Sequence, residues 1–382
     1  MSRGLPVTIG EGTGGAGGGF TLTAAAGPRW GRRCFFAGRG GGRGAGGGGG
    51  GAWVRPAFLL LGALIGWAFG WSGGGGAAGW WLWAAAVFVV GLPHGAYDLA
   101  AMRRQDSGGG GERGVVAGVW RGGRGVGRTA GRFGAYSAVT VAALALLVVF
   151  PAAVILGFLV LSSYHFGVSD AAWTRGRVGL SVRDRLTAWG QGGLAIFAPV
   201  ALDPAGSLAP FGVMARSLGG ELAVGNAGVI GVAACALGLV AVVIGVVGCA
   251  VRGEGGRVAE TLGVVLGIGA LAALVPPLVA VGVYFLVVHA GGHCWRACVP
   301  GGVSGSPGFL NAWRVHLESV ALFVPSVVGV LVIAWVVFGG VGGREVALGF
   351  LVFCVFGTPA HHALWSGWFG GGSALRSGVR GV

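Results

Sequence analysis

An all-α, polytopic transmembrane bundle of about ten spans is the fold class this sequence predicts, and three observations predict it. Of the 382 residues, 54% are hydrophobic and only 10% charged, with a mean hydropathy of +0.78, whereas a soluble domain carries about a quarter charged residues. The apolar residues gather in runs that approach the ~20 residues a helix needs to cross a bilayer. The arginines fall on alternate connections between those runs.

In chain order the runs lie at 53–72, 78–93, 133–150, 152–168, 186–202, 223–251, 258–275, 277–295, 316–338 and 345–365. The third and fourth are parted only by Pro151, read as a tight turn, and the fifth is the weakest, so eight or nine spans also fit. Flanking domains are short. Residues 1–52, with "GRGGGRGAGGGGGGA", read as a Gly/Arg-rich disordered tail or a misassigned start. Residues 53–370 form the membrane domain, and 371–382 a short cytoplasmic tail.

All 26 basic residues are arginine, against 12 acids, for a formal charge of +14. Arg29, Arg32, Arg33, Arg39, Arg43 and Arg55 precede the first run, and Arg103, Arg104, Arg113, Arg121, Arg124, Arg128 and Arg132 follow the second. Arg175, Arg177, Arg183 and Arg185 follow the fourth, Arg252 and Arg257 the sixth, Arg296 and Arg314 the eighth, and Arg376 and Arg380 the last. With ten spans these segments share one side, and the positive-inside bias makes it the cytoplasm, with both termini there. Trp71, Trp80, Trp81 and Trp83 then fall at the outer interface. The expected location is the cell membrane, multi-pass. Such a charge balance anchors loops and does not imply a nucleic-acid partner. No Gly-rich stretch precedes GK[ST], and no cysteine pair is spaced CxxC, which argues against a phosphate loop and a zinc ribbon.

Seven histidines carry the chemistry. His94 closes the second run in "GLPHGAYD", His165 the fourth in "SSYHFGVSD", His289 and His293 the eighth in "YFLVVHAGGHCWRA", and His361 and His362 the tenth in "GTPAHHALW". These four runs all travel outside to inside, so six rings gather at one membrane face, with His316 beginning the ninth run there. A single histidine at a helix end is ordinarily a cap or an interfacial residue. Six on one face, with one pair at i and i+4 on one side of a helix, suit a metal ion: iron, copper or zinc. Asp98 and Asp170 follow His94 and His165 by four and five residues. Each is read either as a solvated loop acid or as the carboxylate that takes a ligand's second N–H. Tyr164 is a hydrogen-bonding neighbour or an interfacial aromatic.

"GLPHGAYD", "SSYHFGVSD" and "YFLVVHAGGHCWR" resemble, in order, spacing and placement, the histidine motifs of the bacteriorhodopsin-related-protein (Brp/Blh) family of membrane β-carotene 15,15′-dioxygenases, over roughly residues 55–370. The resemblance implies iron(II) held by His94, His165, His289 and His293. It implies oxidative cleavage of the central double bond of β-carotene by O2 to two molecules of all-trans-retinal. Where that family ends on Pro-His, this chain reads Pro359-Ala360-His361-His362, which places His361 with Asp98, Asp170 and Tyr164 among the neighbours of the site. The implied partners are β-carotene, O2, the lipid bilayer and a separate rhodopsin receiving the retinal, because a chain without lysine forms no retinal Schiff base itself. Two other classes compete. A lipid desaturase or hydroxylase would need more HxxxH and HxxHH boxes than the one present, and a b-type haem protein would place histidine pairs on two facing helices.

Overall fold

The computed structural model describes residues 54–70, 85, 87–98, 123–175, 180–222, 225–292 and 309–365, and every regular element among them is helical. The expected segments 1–52 and 371–382, and His293, lie outside these residues, as does the side chain of His316. The helices are α1 (Val54–Gly70), α2 (87–98), α3 (Gly123–Val149), α4 (Pro151–Arg175), α5 (Val182–Leu202) and α6 (Pro204–Ser217). They continue with α7 (Ala227–Val251), α8 (Gly255–Leu274), α9 (277–292), α10 (Phe309–Phe338) and α11 (Gly343–Trp365).

Among the described residues five stretches are long and apolar enough to cross a membrane: Ala130–Val149, Pro151–Ala171, Ala227–Val251, Gly255–Leu274 and Gly343–Leu364. The pair α5–α6 makes a sixth if counted as one broken span, and the shorter apolar helices Arg55–Leu64, Pro277–Ala290 and Leu322–Phe338 fall in the first, eighth and ninth expected runs. The fifth run is weak because its helix carries Thr187, Gly190, Gln191, Gly192 and Gly193, all buried, and it breaks at its end. α5 stops at Asp203, and α6 leaves at 100° to it. Pro204 opens α6, and the Asp203 carboxylate accepts the Gly206 N–H at 2.8 Å, so the new helix is capped where the old one ends. At Pro151 only Phe150 separates two helices. Its N–H donates to Leu146 at 2.7 Å, and its carbonyl accepts from Val154 at 3.1 Å.

The packing is that of a protein in lipid. α7 buries Gly231, Gly238, Gly245 and Gly248, while Val229, Ile230, Leu237, Val240, Val243 and Val247 point outward and are more than half exposed. An apolar surface of that extent belongs against acyl chains, and small residues let helix backbones approach where lipid removes the hydrophobic drive between helices. The same device joins α4 to α5. A methyl group at Gly167 would collide with the Ala188 carbonyl, and one at Gly192 with the Ser163 carbonyl. Those contacts bracket His165.

Candidate metal centre

Four helices each bring one histidine to a common point. Pro93 in α2 lacks an N–H and crowds the preceding turn. The chain before it widens into a π turn, Val87–Gly91, and His94 follows in the helix. His165 stands on α4, His289 in a second π turn, Tyr284–Ala290, on α9, and His361 on α11 two residues after Pro359. π turns recur at functional sites because they re-aim side chains without ending the helix.

The rings form a closed cycle. His94 meets His289 at 4.9 Å between centroids, His289 meets His165 at 4.8 Å, His165 meets His361 at 4.8 Å, and His361 meets His94 at 4.7 Å. All four are buried, and one ring nitrogen from each lies within 4.8 Å of the others. Nε2 of His361 and Nε2 of His165 are 3.1 Å apart.

Two carboxylates set the orientation of two of these rings. His361 Nδ1 is 2.7 Å from Asp98 Oδ2, and His289 Nδ1 is 3.0 Å from Asp170 Oδ1. A carboxylate only accepts, so each Nδ1 carries the proton and each Nε2 presents its lone pair to the cycle. Both acids are fully buried, at 0% and 1% exposure, and each also accepts a tyrosine hydroxyl: Tyr136 to Asp98 at 3.1 Å, Tyr284 to Asp170 at 2.8 Å. They are therefore not solvated loop acids. Phe166 (4.4 Å from His289) and Phe285 (6.0 Å from both His289 and His94) wall one side.

The structure thus brings together His94, His165 and His289 of the set the family resemblance implied; His293 lies outside the described residues. In its company stands His361, a member of the cycle and not merely a neighbour. The inserted Ala360 puts His361 in the cycle and leaves His362 half-buried at its edge, 3.5 Å from His165 between Nδ1 atoms and edge-on to Tyr164 at 5.6 Å. Tyr164 itself is 38% exposed. Another difference concerns depth. α4 does not end near His165 but runs ten residues further, to Arg175, about 15 Å at 1.5 Å per residue. Sequence reasoning missed Tyr136 and Tyr284, although the chain has only four tyrosines and a hydroxyl inside an apolar run needs a partner.

The donor set fits a transition-metal ion. Imidazole–metal bonds of about 2.1 Å place adjacent ligand atoms ~3.0–3.4 Å apart and opposite ones ~4.2 Å apart, so the 3.1 Å pair already has an adjacent spacing. The widest pair, within 4.8 Å, closes with a shift of a few tenths of an ångström at each ring. Charge fits as well: four neutral imidazoles, two carboxylates and a divalent cation sum to zero, which a buried site requires.

Together these features define a class: a membrane protein, helical among its described residues, with a buried four-histidine group able to hold a metal ion. The family follows from the sequence as a whole. Residues 85–369, which is 285 of 382, match the family model described as beta-carotene 15,15'-dioxygenase, and the chain belongs to that family. Neither a curated relative nor a solved structure matches it.

Proposed function

We propose that this protein cleaves the central double bond of β-carotene with O2 to two molecules of retinal, at iron(II) held by His94, His165, His289 and His361. The observation that carries the reading is the closed cycle of four buried imidazoles, two of them fixed by buried carboxylates, in a chain of the carotenoid-dioxygenase family. The reaction balances with O2 as sole oxidant: one C=C and one O=O bond break, two C=O bonds form, and no side chain supplies an electron or a proton. Iron, when bound, supplies the activation of dioxygen, a triplet molecule sluggish towards a closed-shell polyene. The chain does the rest. Asp98 and Asp170 hold two rings in one tautomer, Phe166 and Phe285 keep water from one side, and the apolar surface admits a substrate that resides in the bilayer. A pair of haem ligands facing each other from two helices is a different geometry from one ring each on four helices.

The same reading takes ten crossings, both termini in the cytoplasm, location in the cell membrane, and delivery of retinal to a separate rhodopsin. Expression in a bacterium that accumulates β-carotene should bleach the orange cells and yield retinal, with longer apocarotenals scarce. Withholding oxygen or chelating iron should preserve the colour. Orange cells containing membrane-inserted, iron-loaded protein in air would overturn the carotenoid reading. For the topology, reporter fusions after residues 110, 180, 255, 305 and 378 should all report the cytoplasm; opposite signals at 110 and 305 would refute it.

A further inference from the structure

Behind the histidine cycle lies a buried polar chain that ends at a face of the bundle far in sequence from the ligands. Tyr284 and His289 are five residues apart on α9. In an α-helix, residues three or four apart share a side, so a five-residue spacing would point them apart. The i→i+5 bonding of the π turn Tyr284–Ala290 brings both to one side. There they grip the two oxygens of one carboxylate: the Tyr284 hydroxyl donates to Asp170 Oδ2 at 2.8 Å, and His289 Nδ1 donates to Oδ1 at 3.0 Å. Tyr284 is 1% exposed and His289 0%.

The chain continues outward. Near the Tyr284 hydroxyl stands the Arg55 guanidinium of α1, close enough to act on it electrostatically. Arg55 Nη1 pairs with Glu260 Oε1 of α8 at 3.5 Å, with side chains 6% and 22% exposed. An arginine buried among apolar helices needs a reason. Here it stands between Glu260 and Tyr284, at the outer end of the hydrogen-bonded series Tyr284–Asp170–His289. Asp98 has Tyr136 in the corresponding place.

We infer that Tyr284, beside the Arg55–Glu260 pair, is a positioning residue: it fixes the Asp170 carboxylate, and through it the orientation and tautomer of His289. The π turn is the device that makes this possible. The inference rests on the proposed metal site and adds residues that touch neither metal nor substrate. Without the hydroxyl, Asp170 Oδ2 loses this donor and the His289 ring is held less firmly, while every imidazole remains.

The test uses the purified full chain in detergent and cobalt(II), followed by its visible absorption. Tyr284→Phe should weaken cobalt binding roughly tenfold, the lower end of what removal of such supporting partners costs, and should alter the spectrum. Arg55→Gln should weaken it less and in the same direction. Because Arg55 acts through Tyr284, the double variant should be no weaker than Tyr284→Phe alone; independent structural damage would add. Additive losses, or wild-type affinity and spectrum in Tyr284→Phe, would overturn the inference while leaving the metal site intact. Should Tyr284→Phe fail to fold, Arg55→Gln decides alone, and a wild-type spectrum and affinity in it overturns the inference. A wild-type protein that takes up no cobalt removes the metal site itself, and this inference with it.

Discussion

His361→Ala is expected to abolish retinal formation and to lower iron affinity by more than ~100-fold, because losing even a supporting partner of a ligand costs 10–100-fold. The reason is local. His361 is one of four buried rings in the cycle, its Nε2 lies 3.1 Å from that of His165, and its Nδ1 is held at 2.7 Å by Asp98. Its removal also leaves the Asp98 carboxylate buried with one partner fewer, which by itself disfavours the site. His362→Ala is the control within the same dipeptide. That ring is half-buried and reaches the cycle only through a 3.5 Å contact with His165, so it should keep most of the iron. Metal analysis of the two purified variants decides the matter. Equal iron in both would remove His361 from the ligand set. Loss of iron in His293→Ala, measured beside them, would add His293 to it.

His361 shows what the sequence made legible and where it stopped. Helical character, the apolar runs and the gathering of His94, His165 and His289 follow from composition and from the placement of histidines along the runs, since these are properties of the chain in one dimension. Which member of the His361-His362 pair turns inward is not. Adjacent residues on a helix point about 100° apart, and only the packing of α11 against α3 and α4 decides between them. Depth was hidden for a related reason. "SSYHFGVSD" turns polar after His165, as the end of a span would, yet Ser162, Ser163, His165 and Asp170 are all buried. Their polarity faces other helices and not water, so α4 continues to Arg175.

The tyrosine-backed carboxylates were legible only in half. Asp98 and Asp170 stand close to histidines in sequence, and that proximity flagged them. The rings they hold, His361 and His289, are 263 and 119 residues away, so each acid serves a histidine other than its neighbour. A π turn leaves no mark in the hydrophobic pattern over seven residues, and "YFLVVHA" is equally compatible with an ordinary helix. The break at Asp203 falls at Asp-Pro, a combination that caps and opens a helix, a signal the reading of the apolar runs left unused. The 100° angle between α5 and α6 had no such signal.

A second large effect is expected far from any ligand. Gly192→Ala and Gly167→Ala should each destabilise the fold by about 3 kcal/mol or more and also strip the protein of iron, although neither residue touches a histidine ring. At Gly192 an added methyl would fall on the Ser163 carbonyl, and at Gly167 on the Ala188 carbonyl. These are backbone atoms inside helices, so no rotamer change relieves the clash and α4 and α5 must separate. Ser163 and Gly167 flank His165 at two residues on either side, so the ring projects from the opposite side of α4, away from α5 and into the cycle. Whatever pushes α4 off α5 therefore drives His165 against His361 and His289, and a displacement near 1 Å at a reacting centre costs about 100-fold in rate. At Gly157 on α4 and Gly193 on α5, an added methyl would meet nothing within 4 Å. Their alanine variants should be neutral or up to ~1 kcal/mol more stable, from helix propensity alone. Denaturant unfolding in detergent, with iron content measured on the same preparations, separates the two pairs. If Gly192→Ala matches Gly193→Ala in both stability and iron, the close α4–α5 crossing is not what holds His165 in place.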